Sequence, residues 1–227
     1  MQGAGSNPTE LSRRQRHYAF AAMLAVCASL AIVADGCSIR RQFSKVTPVT
    51  MRSEAAGASL QIDPTMSVLI RRDEQTMVVY LTDLSPMALA GPLDRLTGSV
   101  VRIDRFFAPR AGRTPLEATA SNAAVRWVVF AAGAMGVYQG GGMLELDQSI
   151  LTGQKIRAIL RGATLRLGGA TDDFVDKLGA TTASGVFVVA DDAVTARRLA
   201  ALVDAALARS APIEETTEPA RKPANAR

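Results

Sequence analysis

The sequence predicts an α+β domain. A predominantly antiparallel β-sheet, either a curved sheet or a small sandwich, carries a C-terminal helix packed on it and is preceded by an N-terminal apolar helix. Three observations predict this. Between residues 66 and 190 apolar residues recur at alternate positions in short runs, the mark of strands with a buried face. Turn-forming residues separate the runs, and the helical crossovers that a parallel sheet needs are missing. Only beyond residue 191 does the apolar spacing change to three and four, the period of an amphipathic helix.

The first strong strand is "TMVVYLT" (76–82), dense in β-branched and aromatic residues. In "SVVRIDRFF" (99–107), Val101, Ile103 and Phe107 share one face, and Arg102 and Asp104 the other. "AVRWVVF" (124–130) puts Val125, Trp127 and Val129 together. "GVYQGGGMLELD" (136–147) reads as strand, glycine turn and strand. In "KIRAILRGATLRLGG" (155–169) the apolar residues Ile156, Ala158 and Leu160 are even-numbered, whereas Ala163, Leu165 and Leu167 are odd. Because side chains alternate with period two, this switch requires a bulge or break near Arg161 and Gly162. "DDFVDKLG" (172–179) reads as a short helix ended by Gly179, and "GVFVVA" (185–190) as a last strand. The final helix starts at Asp191 or Asp192 as N-cap and aligns Leu199, Leu202, Val203, Ala206 and Leu207.

Around this core the chain divides into an N-terminal segment (1–37), a linker (38–65), the β-rich domain (66–210) and a tail (211–227). The linker reading rests on the aperiodic "SEAAGAS" and on Pro48 and Pro64. The tail is rich in Pro, Thr, Glu and Lys, a composition that does not form a core and is expected to be disordered.

The 227-residue chain has a formal net charge of +5, with 26 basic and 21 acidic residues. Six of the basic and two of the acidic residues lie in residues 1–45. The remainder is close to neutral, so the positive excess flanks the N-terminal apolar run and is not a nucleic-acid footprint. Both cysteines, Cys27 and Cys37, and the single histidine, His17, also belong to this segment. The domain therefore has no thiol or imidazole for nucleophilic catalysis or zinc ligation. No cofactor is expected, and only carboxylate, Lys, Tyr or backbone chemistry is open to it.

The apolar run begins at Tyr18, ends at Ala34 and holds no charge. As a helix its 17 residues would extend about 25 Å, at the lower limit for a bilayer core of about 30 Å. Arg13, Arg14 and Arg16 precede it and "VADGCS" follows. A basic region, an apolar run and small residues together describe a secretory signal. "VADGCS" resembles the cleavage and lipidation site of a bacterial lipoprotein precursor. Gly36 matches the small residue and Ser38 a common follower, while Asp35 departs from the uncharged residue usual there. The resemblance implies lipid attachment at Cys37 and removal of the residues before it. "SRRQRHY" (12–18) also resembles a twin-arginine export signal. An uncleaved anchor helix and simple cleavage remain alternatives. All three place the body on a membrane or outside the cytoplasm, and the expected location is membrane-associated, on the envelope or periplasmic side of a bacterium.

Three stretches are candidate sites. Residues 108–122 form a loop of about 15 residues without periodicity, long enough to suggest a role; within it Arg110 and Arg113 are candidates for binding an anionic group or a protein. Asp172, Asp173 and Asp176, with Asp191 and Asp192, supply either caps or paired carboxylates. The glycines of 133–142 lack the following lysine of a phosphate loop and are expected to shape a hairpin. The expected function is a membrane-tethered, lipidated envelope protein with a non-catalytic binding or assembly role. The alternative is a tethered carboxylate-dependent hydrolase. A membrane and an envelope protein are the expected partners, and nucleic acid is not.

Overall fold

A computed structural model describes residues 47–108, 121–147 and 155–213. Ten strands form one sheet: β1 (Thr47–Ser53), β2 (Ser59–Ile62), β3 (Met66–Arg71), β4 (Met77–Thr82), β5 (Thr97–Arg105), β6 (Ala123–Ala131), β7 (Ala134–Asp147), β8 (Lys155–Ala170), β9 (Thr181–Asp191) and β10 (Ala211–Pro212). Among the described residues one α-helix, α1 (Ala193–Arg209), follows β9. The pairing is antiparallel except between β3 and β9, where Val68 and Leu69 run parallel to Ala190 and Asp191.

The ladder from β3 through β8 returns on itself, because β8 pairs with β9 and β9 with β3. The sheet is thus a single layer rolled into a ring of seven strands rather than two stacked sheets. β1 extends β9, β2 pairs with β1, and β10 pairs with the end of β8. Closure removes exposed strand edges along the ring.

Two apolar cores lie on opposite faces of this layer. Inside the ring sit Val79, Leu81, Val101, Ile103, Val125, Trp127, Tyr138, Leu160, Leu165 and Phe187. Outside, Val78, Tyr80, Val100, Val128, Phe130 and Val137 pack beneath Leu199, Val203 and Ala206 of α1. This explains why β4 is buried along its whole length: one parity faces the interior and the other faces α1 or its surroundings. The helix starts where expected. The Asp192 carboxylate accepts hydrogen bonds from the Val194 and Thr195 N–H groups and from the Thr195 hydroxyl.

The parity switch in β8 is a bulge. Opposite both β7 and β9, β8 carries one extra residue between Leu160 and Thr164, and Gly162 takes φ +54°. A second irregularity lies at Gly168, between the partners of Val137 and Tyr138. Such bulges increase local twist and bend, which a closing sheet needs.

Several expectations are corrected. From residue 47 onward the segment expected as a linker belongs to the sheet, with Val49, Met51 and Ile62 fully buried. The glycines 140–142 lie within the continuous strand β7; the hairpin turn is at Ala132 and Gly133, both at positive φ. Residues 172–179 form turns, since the Asp176 carboxylate takes up the Leu178 and Gly179 N–H groups locally, in competition with a helix. Phe107 does not continue the interior file of β5, which ends at Arg105, and is 38 % exposed. The expected tail begins with two paired residues, Ala211 and Pro212. Residues 214–227 of that tail lie outside the described residues, as do the N-terminal apolar helix and the loop arginines.

Candidate functional site

Cys37, the segment from Tyr18 to Ala34, and Arg110 and Arg113 fall outside the described residues. The aspartates fall within them and do not converge. Asp172 and Asp173 are exposed, Asp191 lies 3.9 Å from the Arg71 guanidinium, and Asp192 caps α1. Among the described residues no three His, Cys, Asp or Glu side chains gather as a metal site would require. No described helix is long and apolar enough to cross a membrane.

Asp176 locks a turn against the sheet. Its Oδ1 accepts the Tyr138 hydroxyl proton at 2.6 Å. Burial opposes its charge, but this bond and those from the Gly179 and Leu178 N–H groups outweigh burial and hold its pKa below the ordinary value. Tyr138 is pushed up by burial and then by its carboxylate partner. Since the folded pKa of Asp176 is depressed, its stabilisation is present above the unfolded carboxylate value, near pH 4, and is lost as pH falls through the lower folded value. Tyr138→Phe should therefore flatten the acid limb of a melting-temperature profile taken from pH 2 to pH 5. An unchanged acid limb would show that the bond carries no stability.

Among the described residues, charged side chains of both signs meet around one hollow. A hollow of about 280 Å³ on the outer face is lined by Arg72, Arg102, Arg105 and Arg126, with Asp104 as the one lining carboxylate. Arg72 comes from the β3–β4 turn, Arg102 and Arg105 from β5, and Arg126 from β6. Register explains the meeting, because Arg102 stands directly opposite Arg126, and Arg105 opposite Met77 beside that turn. Arg102 grips Asp104 with two parallel bonds of 2.9 and 3.0 Å, reaches Asp204 of α1 at 3.4 Å, and lies 6.0 Å from the centre of the Tyr80 ring. Arg126 reaches the same carboxylate at 3.4 Å.

Arg105 is 5 % exposed and its Nε donates to the Gln75 carbonyl at 3.1 Å. Burial, and then the nearby Arg71 charge, lower its pKa from the ordinary arginine value. The nearby Asp73 carboxylate partly offsets this.

Phe106, 57 % exposed, forms one wall of the hollow. Its position is fixed from below by the fully buried Asn122. The Phe106 N–H donates to the Asn122 carbonyl, and Asn122 Nδ2 donates to the carbonyls of Phe107 and Leu144. The Leu144 N–H donates to Asn122 Oδ1 at 2.7 Å, so the amide is satisfied on both sides.

A larger hollow of about 510 Å³ lies over β7, β8 and the start of β9, between Glu54, Gln139 and Thr181. It gathers no like charges, and its Glu54 carboxylate already accepts the Thr182 hydroxyl.

None of the arginines in the arginine-lined hollow was singled out by sequence patterning. One signal was available. Arg105 shares the parity of Val101 and Ile103, so a cation stands in an interior file, which is unusual without a special environment. Asn122 was counted as the end of a loop, and its hydrogen bonds depend on β7. No protein family, curated protein or solved structure matches this chain.

Proposed function

We propose that this chain is a membrane-tethered protein of the bacterial cell envelope, lipidated at Cys37, whose β-rich domain serves binding or assembly rather than catalysis. The observation that carries the reading is the uncharged run from Tyr18 to Ala34 followed by "VADGCS". The fold adds a consequence. The sheet begins at Thr47, so only ten chain steps separate Cys37 from the domain. Even fully extended, they reach about 35 Å. A domain on so short a tether works close to the bilayer, with the membrane and neighbouring envelope proteins as partners.

The hydrolase alternative has less support. It needs two carboxylates across a cleft, one held protonated. Asp176 and Asp192 have depressed pKa values and spend their oxygens on local N–H and hydroxyl groups.

Intact mass of the membrane-extracted protein tests the proposal. Loss of residues 1–36 and addition of acyl mass are expected, both abolished by Cys37→Ala. A full-length, unacylated chain in the membrane would instead establish an uncleaved anchor helix.

A further inference from the structure

We infer that residues 172–179 form a strap that opens as one unit over a mouth of the ring, with the Phe174 ring as its plug and the Tyr138–Asp176 bond as its latch. The inference goes beyond the tethered reading and is independent of it, since every contact it uses lies within the domain.

The strap's place follows from the strands it joins. β8 ends at Ala170 and β9 begins at Thr181, yet Thr181 pairs with Leu165, well back along β8. The chain between them must therefore return across the end of the sheet. On the way Phe174 and Leu178 pack against the interior cluster. Gly136 has the interior parity of Tyr138, and a Cβ on it would overlap the Phe174 ring. The bare backbone of that glycine is thus a seat for an aromatic ring. Tyr138 stands edge-on beside it, with ring centres 6.4 Å apart.

The attachments are few. At one end the Thr171 N–H donates to the Met135 carbonyl, and the Met135 N–H to the Thr171 hydroxyl. At the other, the Ala180 carbonyl accepts from the Glu54 N–H. Between these ends, among the described residues, no backbone group of 172–179 bonds to another element. The Phe174 N–H turns back to the Thr171 carbonyl, and the Leu178 and Gly179 N–H groups turn to Asp176. The Tyr138 hydroxyl on Asp176, at 2.6 Å, is the one hydrogen bond that ties the middle of the strap to the sheet.

Burial follows the same division. Phe174 and Leu178 are half-buried and the other residues of 172–179 are exposed, whereas Tyr138 and Leu165 beneath them are buried in a paired ladder. A segment with exposed backbone and few apolar contacts opens at a lower free energy than the strands under it. Gly179, at φ +62° with open space around it, supplies the hinge at the β9 end. Thr171, doubly bonded to Met135, fixes the end at β8.

Lys177 makes the opening measurable, being the only Lys or Arg between Arg166 and Arg197. A protease needs an extended segment, which the latched turn does not offer. The full chain in detergent is digested briefly with trypsin, and cleavage after Lys177 is quantified by mass spectrometry. Tyr138→Phe removes the latch and Phe174→Ala the plug. Each should raise the cleavage rate at least about tenfold. Leu199→Ala is the control, because Leu199 lies under α1 on the opposite face of the sheet. It should lower the melting temperature and leave cleavage after Lys177 unchanged. A rate unchanged from the natural chain in either strap variant overturns the proposal. So does a rise in Leu199→Ala as large as theirs, for cleavage would then follow global unfolding.

Discussion

Gly140→Ala is expected to destabilise the domain by about 3 kcal/mol, near the top of the usual range for overpacking. The position lies in the middle of β7, opposite Leu165 of β8. A methyl group there would overlap the Thr164 carbonyl oxygen and stand 3.2 Å from the Leu165 Cα. These are backbone atoms of a strand held on its other edge by β9, so neither side can withdraw without disturbing the ladder. The adjacent bulge depends on the same close approach, for a Cβ on Gly142 would come within 2.7 Å of the Ala163 Cα.

Gly57→Ala is the control. Gly57 has φ +66° with nothing within 4 Å of an added Cβ, so it should cost only the backbone term of about 1 kcal/mol. Urea unfolding followed by circular dichroism separates the two. If Gly140→Ala and Gly57→Ala unfold at the same midpoint, the close approach of β7 and β8 is not a real constraint.

Trp127→Ala is expected to cost about 4 kcal/mol, within the range for truncating a buried aromatic residue. Trp127 is fully buried inside the ring, opposite Val101 on β5 and Tyr138 on β7. Strands paired on both sides hold its surroundings, so the space would collapse only partly. Its indole N–H has no hydrogen-bond partner among the described residues. Trp127→Phe should therefore cost much less than Trp127→Ala, because it removes an unsatisfied donor along with some volume. As this is the only tryptophan in the chain, unfolding is best followed by circular dichroism. A loss below about 1 kcal/mol in Trp127→Ala would mean that the interior is not close-packed at its centre.

Much of the architecture was legible because it is written in local periods. A dense β-branched and aromatic run located β4, alternation located β5 and β6, and the three-and-four spacing located α1 together with its Asp192 cap. The β8 bulge was legible from parity alone, since a strand cannot change its buried face without gaining or losing a residue. The strands β1 and β2 were missed because their buried residues, Val49, Met51 and Ile62, are few and set among small and polar ones. Their burial comes from β9, more than a hundred residues away.

The glycines of β7 show the same limit from the other side. In isolation a glycine run reads as a turn; here it admits the β8 backbone, which no local pattern announces. The arginine-lined hollow is more distant still from sequence reading, because Arg72, Arg102 and Arg126 lie on separate segments and meet only through strand register.

The sequence by itself determined the strand-rich class, the terminal helix, the bulge, and a domain without cysteine or histidine, since each depends on residue type and spacing along one stretch of chain. Only the tertiary structure decided that the sheet closes, that β1 and β2 belong to it, and that phenylalanines and arginines share one end. Those depend on which distant strands pair and in what register, a choice made by the whole interior packing at once.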